Sequence, residues 1–171
     1  MIQKIEVGDI TLPKFGDIII AMNSTCDEAS AIGRPFISPL KNGQRMTLGS
    51  VLTFEFDPEK DRYLHMLICH TIGIGGWRDA ENYIRFGLDY LWHKDPRREY
   101  AIVEIGTGDV GTRDGADEAK IRTSMDQSLL KLTLVKFSDR VMQEMSKEHP
   151  LRLLRCWDVI GGEVTSVVAS N

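Results

Sequence analysis

Tyr100-Ala-Ile-Val-Glu-Ile-Gly-Thr-Gly-Asp-Val-Gly111 is the stretch on which the reading of the fold turns. Tyr100 to Ile105 is short and mostly apolar, the pattern of a strand buried on both faces. It runs directly into Gly106-Thr-Gly-Asp-Val-Gly111. Glycines let the backbone turn sharply and let a ligand approach the N–H groups. Residues 116–132 then read as a helix, whose N-terminal partial charge favours an anion. Strand, glycine loop and helix together form a candidate phosphate cradle. The competing reading is a tight strand-to-helix turn, and the loop alone weighs the two evenly. Its GxGxxG spacing would suit a dinucleotide fold only if it came early and an acidic residue followed on the next strand; no GxxxxGK[ST] occurs.

Outward from this segment, strands and helices interleave. Ile2 to Ile10 reads as a strand, Gly16-Asp17 as a turn, and Ile18-Ile19-Ile20-Ala21-Met22 as a second buried strand. Asn23 to Gly49 has no sustained period and holds Gly33, Pro35, Pro39 and Gly43, so it is a long connection of the kind that is often functional. Val51–Phe56 and Tyr63–Thr71 flank a polar Asp57–Asp61 turn and read as a hairpin. Arg78 to Trp92 places Tyr83, Ile84, Leu88, Leu91 and Trp92 on one helical stripe, ended by Asp95-Pro96. Ala116–Leu132 and Ser138–Glu148 read as helices, Leu151–Trp157 as a last strand, and the tail from Gly161 as a strand or as irregular chain. The implied architecture is a single domain over residues 1–171, a three-layer α/β/α sandwich with a mixed central sheet. Ligands of such sheets bind at the carboxyl ends of the strands.

Composition bounds the function. The chain has 171 residues, of which 42% are hydrophobic and 27% charged, ordinary values for a globular protein. A net charge of -4 and a pI near 5.6 disfavour binding to long nucleic acid. Arg34, Lys41 and Arg45 make only a loose basic cluster. Cys26, Cys69 and Cys156 are odd in number and widely spaced, and no CxxC pair occurs, so neither a disulfide framework nor a zinc site is expected. No other metal and no cofactor is implied. The first residues, MIQKIEVGDI, lack the apolar stretch of a signal peptide, and no apolar run approaches ~20 residues. A cytoplasmic location without membrane contact is expected.

Gly8-Asp9-Ile10-Thr11 stands near the start, and Asn23, at the end of the second apolar run, follows Asp9 by fourteen positions. This order resembles the macro domain family, whose members show GDIT and then an apolar strand ending in asparagine at that separation. His70-Thr71-Ile72-Gly73 is similar to the family's HTVGP segment, and Gly106–Gly111 to its STGIFG phosphate loop. The resemblance runs in order over Val7 to Trp157. It implies binding of ADP-ribose or a related adenine nucleotide. Asp9, with Ile10, would receive the adenine amino group. Asn23 would face the distal ribose. Gly106, Thr107, Gly108, Asp109, Val110 and Gly111 would hold the diphosphate through backbone N–H groups. Some members of the family only bind; others hydrolyse ADP-ribosylated protein, O-acetyl-ADP-ribose or ADP-ribose 1″-phosphate.

Each implied role has a plainer rival: Asp9 as a turn residue, Asn23 as a cap beside Ser24 and Thr25. The chain also departs from the family pattern. Ile20 stands where a second asparagine is usual, Cys26–Gly33 replaces a GGGV loop, Val110 replaces the aromatic ribose cover, and Asp109 puts a carboxylate in the phosphate loop. Catalytic candidates are Asn23 with Asp27 or Asp109, and His70 as a further titratable group; His65, inside its strand, reads as packing. Three functions compete: an enzyme acting on the distal ribose, a non-catalytic reader of ADP-ribosylated protein or nucleotide-sequestering module, and a protein-interaction domain with a degenerate pocket. The Asp27-Glu28 pair favours the first. The missing GGGV loop and second asparagine favour binding or altered chemistry.

Overall fold

The structure, a computed structural model, describes residues 2–26, 36, 45–71, 74–103, 105, 118–127 and 129–136. The strands are β1 (Ile2–Val7), β2 (Asp17–Asn23), β3 (Val51–Asp57), β4 (Arg62–His70), β5 (Tyr100–Val103) and β6 (Leu132–Lys136). A 3-10 turn, Pro58–Lys60, joins β3 to β4, and the helices are α1 (Trp77–Lys94) and α2 (Glu118–Asp126). The six strands form one sheet in the order β1-β6-β5-β2-β4-β3. All neighbours are parallel except the β3–β4 hairpin. The sheet is therefore mixed, as its sequence implied, and the parallel ends of β1, β5, β2 and β4 point the same way.

β2 is buried along its whole length, which is why it is written Ile-Ile-Ile-Ala-Met with no polar face. Paired residues share a face of a sheet. Asp17, Ile19 and Ala21 accordingly lie on the side of His65 and Leu67, and Val51 and Thr53 join them across the hairpin. This is the face that α1 covers. Gly87 is the contact point: a Cβ there would meet the Leu67 Cδ2 at 2.9 Å and the Val51 Cγ2 at 3.3 Å. α1 buries Ala80, Ile84, Leu88 and Leu91 in the same stripe that its period predicts. α2 lies beside it, joined where Arg85 donates to the Ser124 hydroxyl and to the Gln127 side chain.

On the opposite face Ile18, Ile20, Met22, Leu64, Met66 and Ile68 are all fully buried. Ile10 and Phe15, from the segment between β1 and β2, belong to the same core. That segment carries the chain from the carboxyl end of β1 back to the amino end of β2 without a helix. Two turns shape it, Leu12 N–H donating to the Asp9 carbonyl and Phe15 N–H to the Leu12 carbonyl. Arg62, 5% exposed, pins it by donating to the carbonyls of Ile10, Thr11 and Gly16. Burial lowers the Arg62 pKa, against the pull of Asp57 and Asp17.

One element differs from the sequence reading. Of the stretch 116–132 read as a helix, Glu118–Asp126 is helical among the described residues, and Leu132–Lys136 is a strand between β1 and β5. Leu130, Leu132 and Leu134 are all buried at a spacing of two, the strand period, in a run that a helical stripe could also absorb. The helix read over Ser138–Glu148, the strand read over Leu151–Trp157 and the tail lie outside the described residues.

Candidate functional site

Asn23 ends β2 and His70 ends β4, and the two are paired in register after a shift that follows Met22. Parallel strands bring their carboxyl ends to one edge, so two residues 47 positions apart in sequence become neighbours there. Asn23 is fully buried, and its amide Nδ2 donates to the Thr25 hydroxyl at 2.7 Å. The bland reading of Asn23 as a local cap is thus part of its geometry. Ser24 ties the same edge together: its N–H donates to the His70 carbonyl, and its hydroxyl lies 3.1 Å from that of Thr71. Cys26 then takes a left-handed backbone, φ 55°, with its N–H on the Asn23 carbonyl. His70 is 5% exposed, and its Nδ1 lies 3.6 Å from the Cys69 thiol.

Asp9 sits at the same edge of the sheet, two residues past β1. Its Oδ1 accepts from the Thr11 N–H at 2.9 Å and from the Thr11 hydroxyl at 2.7 Å, a side-chain turn. Oδ2 accepts no hydrogen bond among the described residues. Ile10, read from the sequence as a ligand-side residue, is fully buried in the core. Asp27 and the whole phosphate-loop candidate, Gly106, Thr107, Gly108, Asp109, Val110 and Gly111, lie outside the described residues; the last described residue before that loop, Ile105, is buried.

Sequence reasoning missed a second constellation, at the amino edge of the sheet. A cavity of about 330 Å³ is lined there by Asp17, Thr53, Tyr63, His65, Leu91, Lys94, Asp95, Arg98 and Tyr100. His65, read as packing, is buried but bonded at both ring nitrogens: Nδ1 lies 2.9 Å from the Thr53 hydroxyl and Nε2 lies 2.7 Å from Asp17 Oδ2. Asp17 Oδ1 also accepts from the Tyr63 N–H and from Arg98 Nη1, both at 3.1 Å. Burial, and then the negative charge of Asp17, pushes the Tyr100 phenol up to about 12. No signal along the chain marks this group, because Asp17, Thr53 and His65 meet only through the register of β2, β3 and β4, and Arg98 joins them only because β5, which follows it, pairs with β2. The same dependence on register brings Asn23 to His70.

Among the described residues no group of histidines, cysteines and carboxylates could hold a metal ion. No described helix is long and apolar enough to cross a membrane.

No family profile matches the chain, and no curated protein matches it by sequence. Solved structures do match it. The macrodomain of Mycobacterium tuberculosis DarG superposes with a TM-score of 0.57 at 12% identity, covering 79% of this chain and 97% of that one. The macrodomain of Thermus aquaticus DarG gives 0.52 at 13% identity, covering 80% and 98%. A mutant of the Oceanobacillus iheyensis macrodomain gives 0.50 at 18% identity, covering 84% and 90%. The mixed six-stranded sheet, its helices and its superposition on most of three macrodomains lead to one structural assignment: this chain has the three-layer α/β/α macrodomain fold.

Proposed function

We propose that this chain binds ADP-ribose, or a derivative that keeps its adenine, diphosphate and distal ribose, along the carboxyl edge of the sheet. One observation carries the reading, the order in which the strands present the sequence-predicted residues. Across the sheet run β1, followed in the chain by Asp9; β6; β5, followed in the chain by the glycine loop; β2, ending in Asn23; and β4, ending in His70. That is the order adenine, diphosphate, distal ribose. From β1 to β2 are three strand spacings, about 14 Å at ~4.8 Å each, a span suited to an extended dinucleotide-like ligand. In this reading Asp9 Oδ2 accepts from the adenine amino group, the N–H groups of Gly106–Gly111 hold the diphosphate, and Asn23 Oδ1 faces the ribose hydroxyls. The likeness to macrodomains supports the same ligand class.

The pairing of Asn23 with His70 favours a second step, hydrolysis at the distal ribose. Such a reaction needs a water held in line and a group that takes its proton. Asn23 can orient the water but cannot be the base; His70, Asp27 or Asp109 takes that part. Calorimetry with ADP-ribose, ADP, AMP and NAD tests the binding. Selective binding of ADP-ribose is the expected result, and no binding of any of the four leaves a protein-interaction domain instead. Turnover of ADP-ribose 1″-phosphate, O-acetyl-ADP-ribose and a mono-ADP-ribosylated peptide tests the chemistry, with Asn23→Ala, His70→Gln, Asp27→Asn and Asp109→Asn beside the wild type. Binding without any turnover makes the protein a reader of ADP-ribosylated partners or a nucleotide sponge. Turnover at full rate in all four variants removes the proposed residues.

A further inference from the structure

We infer that Thr53, His65 and Asp17 form a second chemical site at the amino edge of the sheet, a hydroxyl–imidazole–carboxylate chain that hydrolyses small carboxylic esters. The inference does not depend on nucleotide binding at the opposite edge.

The geometry begins with the hairpin. Ile68 N–H donates to the Ser50 carbonyl, so position 50 faces 68 as a hydrogen-bonded pair. Hydrogen-bonded and open pairs alternate along an antiparallel ladder, and side chains approach most closely in the open ones. Thr53 faces His65, three pairs further on, and so falls in an open pair. This draws the Thr53 hydroxyl to 2.9 Å from His65 Nδ1. On the other side of β4 the parallel register sets β2 beside the ring, and Asp17 Oδ2 meets Nε2 at 2.7 Å.

For a neutral His65 ring the hydrogen-bond partners admit one arrangement of protons. Asp17 already accepts from the Tyr63 N–H and the Arg98 guanidinium, so it acts as a carboxylate acceptor, and the His65 Nε2–H donates to it. In the neutral ring Nδ1 then carries the lone pair, and the Thr53 hydroxyl donates to it. A nucleophile touching a base that a third group orients is the signature of covalent acyl transfer. Burial is graded in the same direction. Asp17 is 1% exposed and His65 4%, while Thr53 stands exposed at the wall of the cavity. A buried histidine needs partners for its nitrogens, but a purely structural network has no need to end on an accessible hydroxyl in a cavity.

That cavity sets the substrate class. At about 330 Å³ it is at the small end of ligand pockets. Leu91, Tyr63 and Tyr100 supply apolar wall. Arg98 is engaged by Asp17, Asp61 and Asp95, whereas Lys94, its ammonium 5.9 Å from the Tyr90 ring centroid, makes no ion pair among the described residues and would have to turn from that ring to meet negative charge developing on a carbonyl oxygen. In the reaction, Thr53 Oγ1 bonds to the ester carbonyl carbon as its proton passes to His65 Nδ1. The imidazolium so formed is held by Asp17. The carbon–oxygen bond to the alcohol breaks, and His65 gives the proton to the departing oxygen. Water then attacks the acyl-threonine, loses its proton to His65, and releases the acid as Thr53 regains its proton. The net change is ester plus water to acid plus alcohol.

The test uses the full chain with p-nitrophenyl acetate and p-nitrophenyl butyrate, and a fluorophosphonate probe located by peptide mass mapping. Expected are release of p-nitrophenolate above buffer and probe attached to Thr53. Thr53→Val should lower the rate at least about a hundredfold, the lower range for loss of acid–base-assisted chemistry, with ADP-ribose binding unchanged and only the small fall in melting temperature that one lost hydrogen bond to His65 implies. Thr53→Ser, which restores a hydroxyl, should restore turnover. No hydrolysis by the wild type, full activity in Thr53→Val, or a label on a surface lysine instead would each overturn the assignment. Thr53 is exposed and on an edge strand, where valine suits the strand, so the variant is expected to fold, and its melting curve separates loss of activity from loss of structure.

Discussion

At Asp9 the two carboxylate oxygens have separate environments: Oδ1 receives both hydrogen bonds from Thr11, and Oδ2 receives none among the described residues. Asp9→Asn keeps an acceptor for the Thr11 turn and exchanges the other oxygen for a donor that repels an adenine amino group. ADP-ribose affinity should fall by the worth of a hydrogen bond to a charged group, about 1.5–3 kcal/mol, with the unfolding midpoint unmoved. Calorimetry and thermal melts on the one variant separate these effects, and equal affinity would detach Asp9 from the ligand. Tyr100 gives a prediction in pH. Its folded value is raised from 10.0 to about 12, by burial first and by Asp17 second. A raised acid means that the folded state resists the phenolate, so the stability involved is intact below pH about 10 and is lost as pH climbs through about 12. Urea unfolding across that window should show a steeper decline for the wild type than for Tyr100→Phe; parallel curves would place the alkaline loss elsewhere.

At the scale of elements, the junctions decide more than the strands themselves. A Cβ on Gly16 would lie 2.2 Å from the Glu99 carbonyl oxygen, the same oxygen that accepts the Asp17 N–H. Backbone cannot step aside as a flexible side chain can, so Gly16→Ala should cost at least the 1–3 kcal/mol typical of overpacking. It should also loosen the start of β2 against β5. Arg62→Met should cost about 3 kcal/mol in urea unfolding, because three carbonyls of the β1–β2 segment lose their donor. A loss under about 1 kcal/mol would mean that water or another donor replaces the guanidinium. These junctions also mark where the sequence was legible. β2 announces itself by an unbroken apolar run, the β3–β4 hairpin by β-rich runs around a polar turn, and α1 by its helical period. β6 did not, because Leu130, Leu132 and Leu134 fit the tail of a helical stripe as well as a strand. The Thr53–His65–Asp17 chain was invisible for a different reason: its members come from three strands, and only register brings them together.

For the whole molecule, a ligand that binds the folded chain alone must stabilise it. At a hundred times Kd that amounts to about 2.7 kcal/mol, or a rise in melting temperature of roughly 5–11 °C for a chain of this size. ADP-ribose should produce this shift in the wild type and a much smaller one in Asp9→Asn; absence of any shift at saturating concentration would contradict binding to the native state. The sheet order has one more consequence, for the newborn chain. β1 pairs only with β6 among the described strands, Ile2 lying beside Leu132. A ribosome adding ~5–20 residues per second takes on the order of ten seconds to make the intervening roughly 130 residues. Throughout that interval β1 waits as an unpaired strand, and the segment that carries Asp9 has no fixed anchor on its amino side. The earliest strand of the sheet to be synthesised is therefore among the last to find its place, and a chain halted before β6 would have a hairpin and a helix but an open sheet edge for other nascent chains to meet.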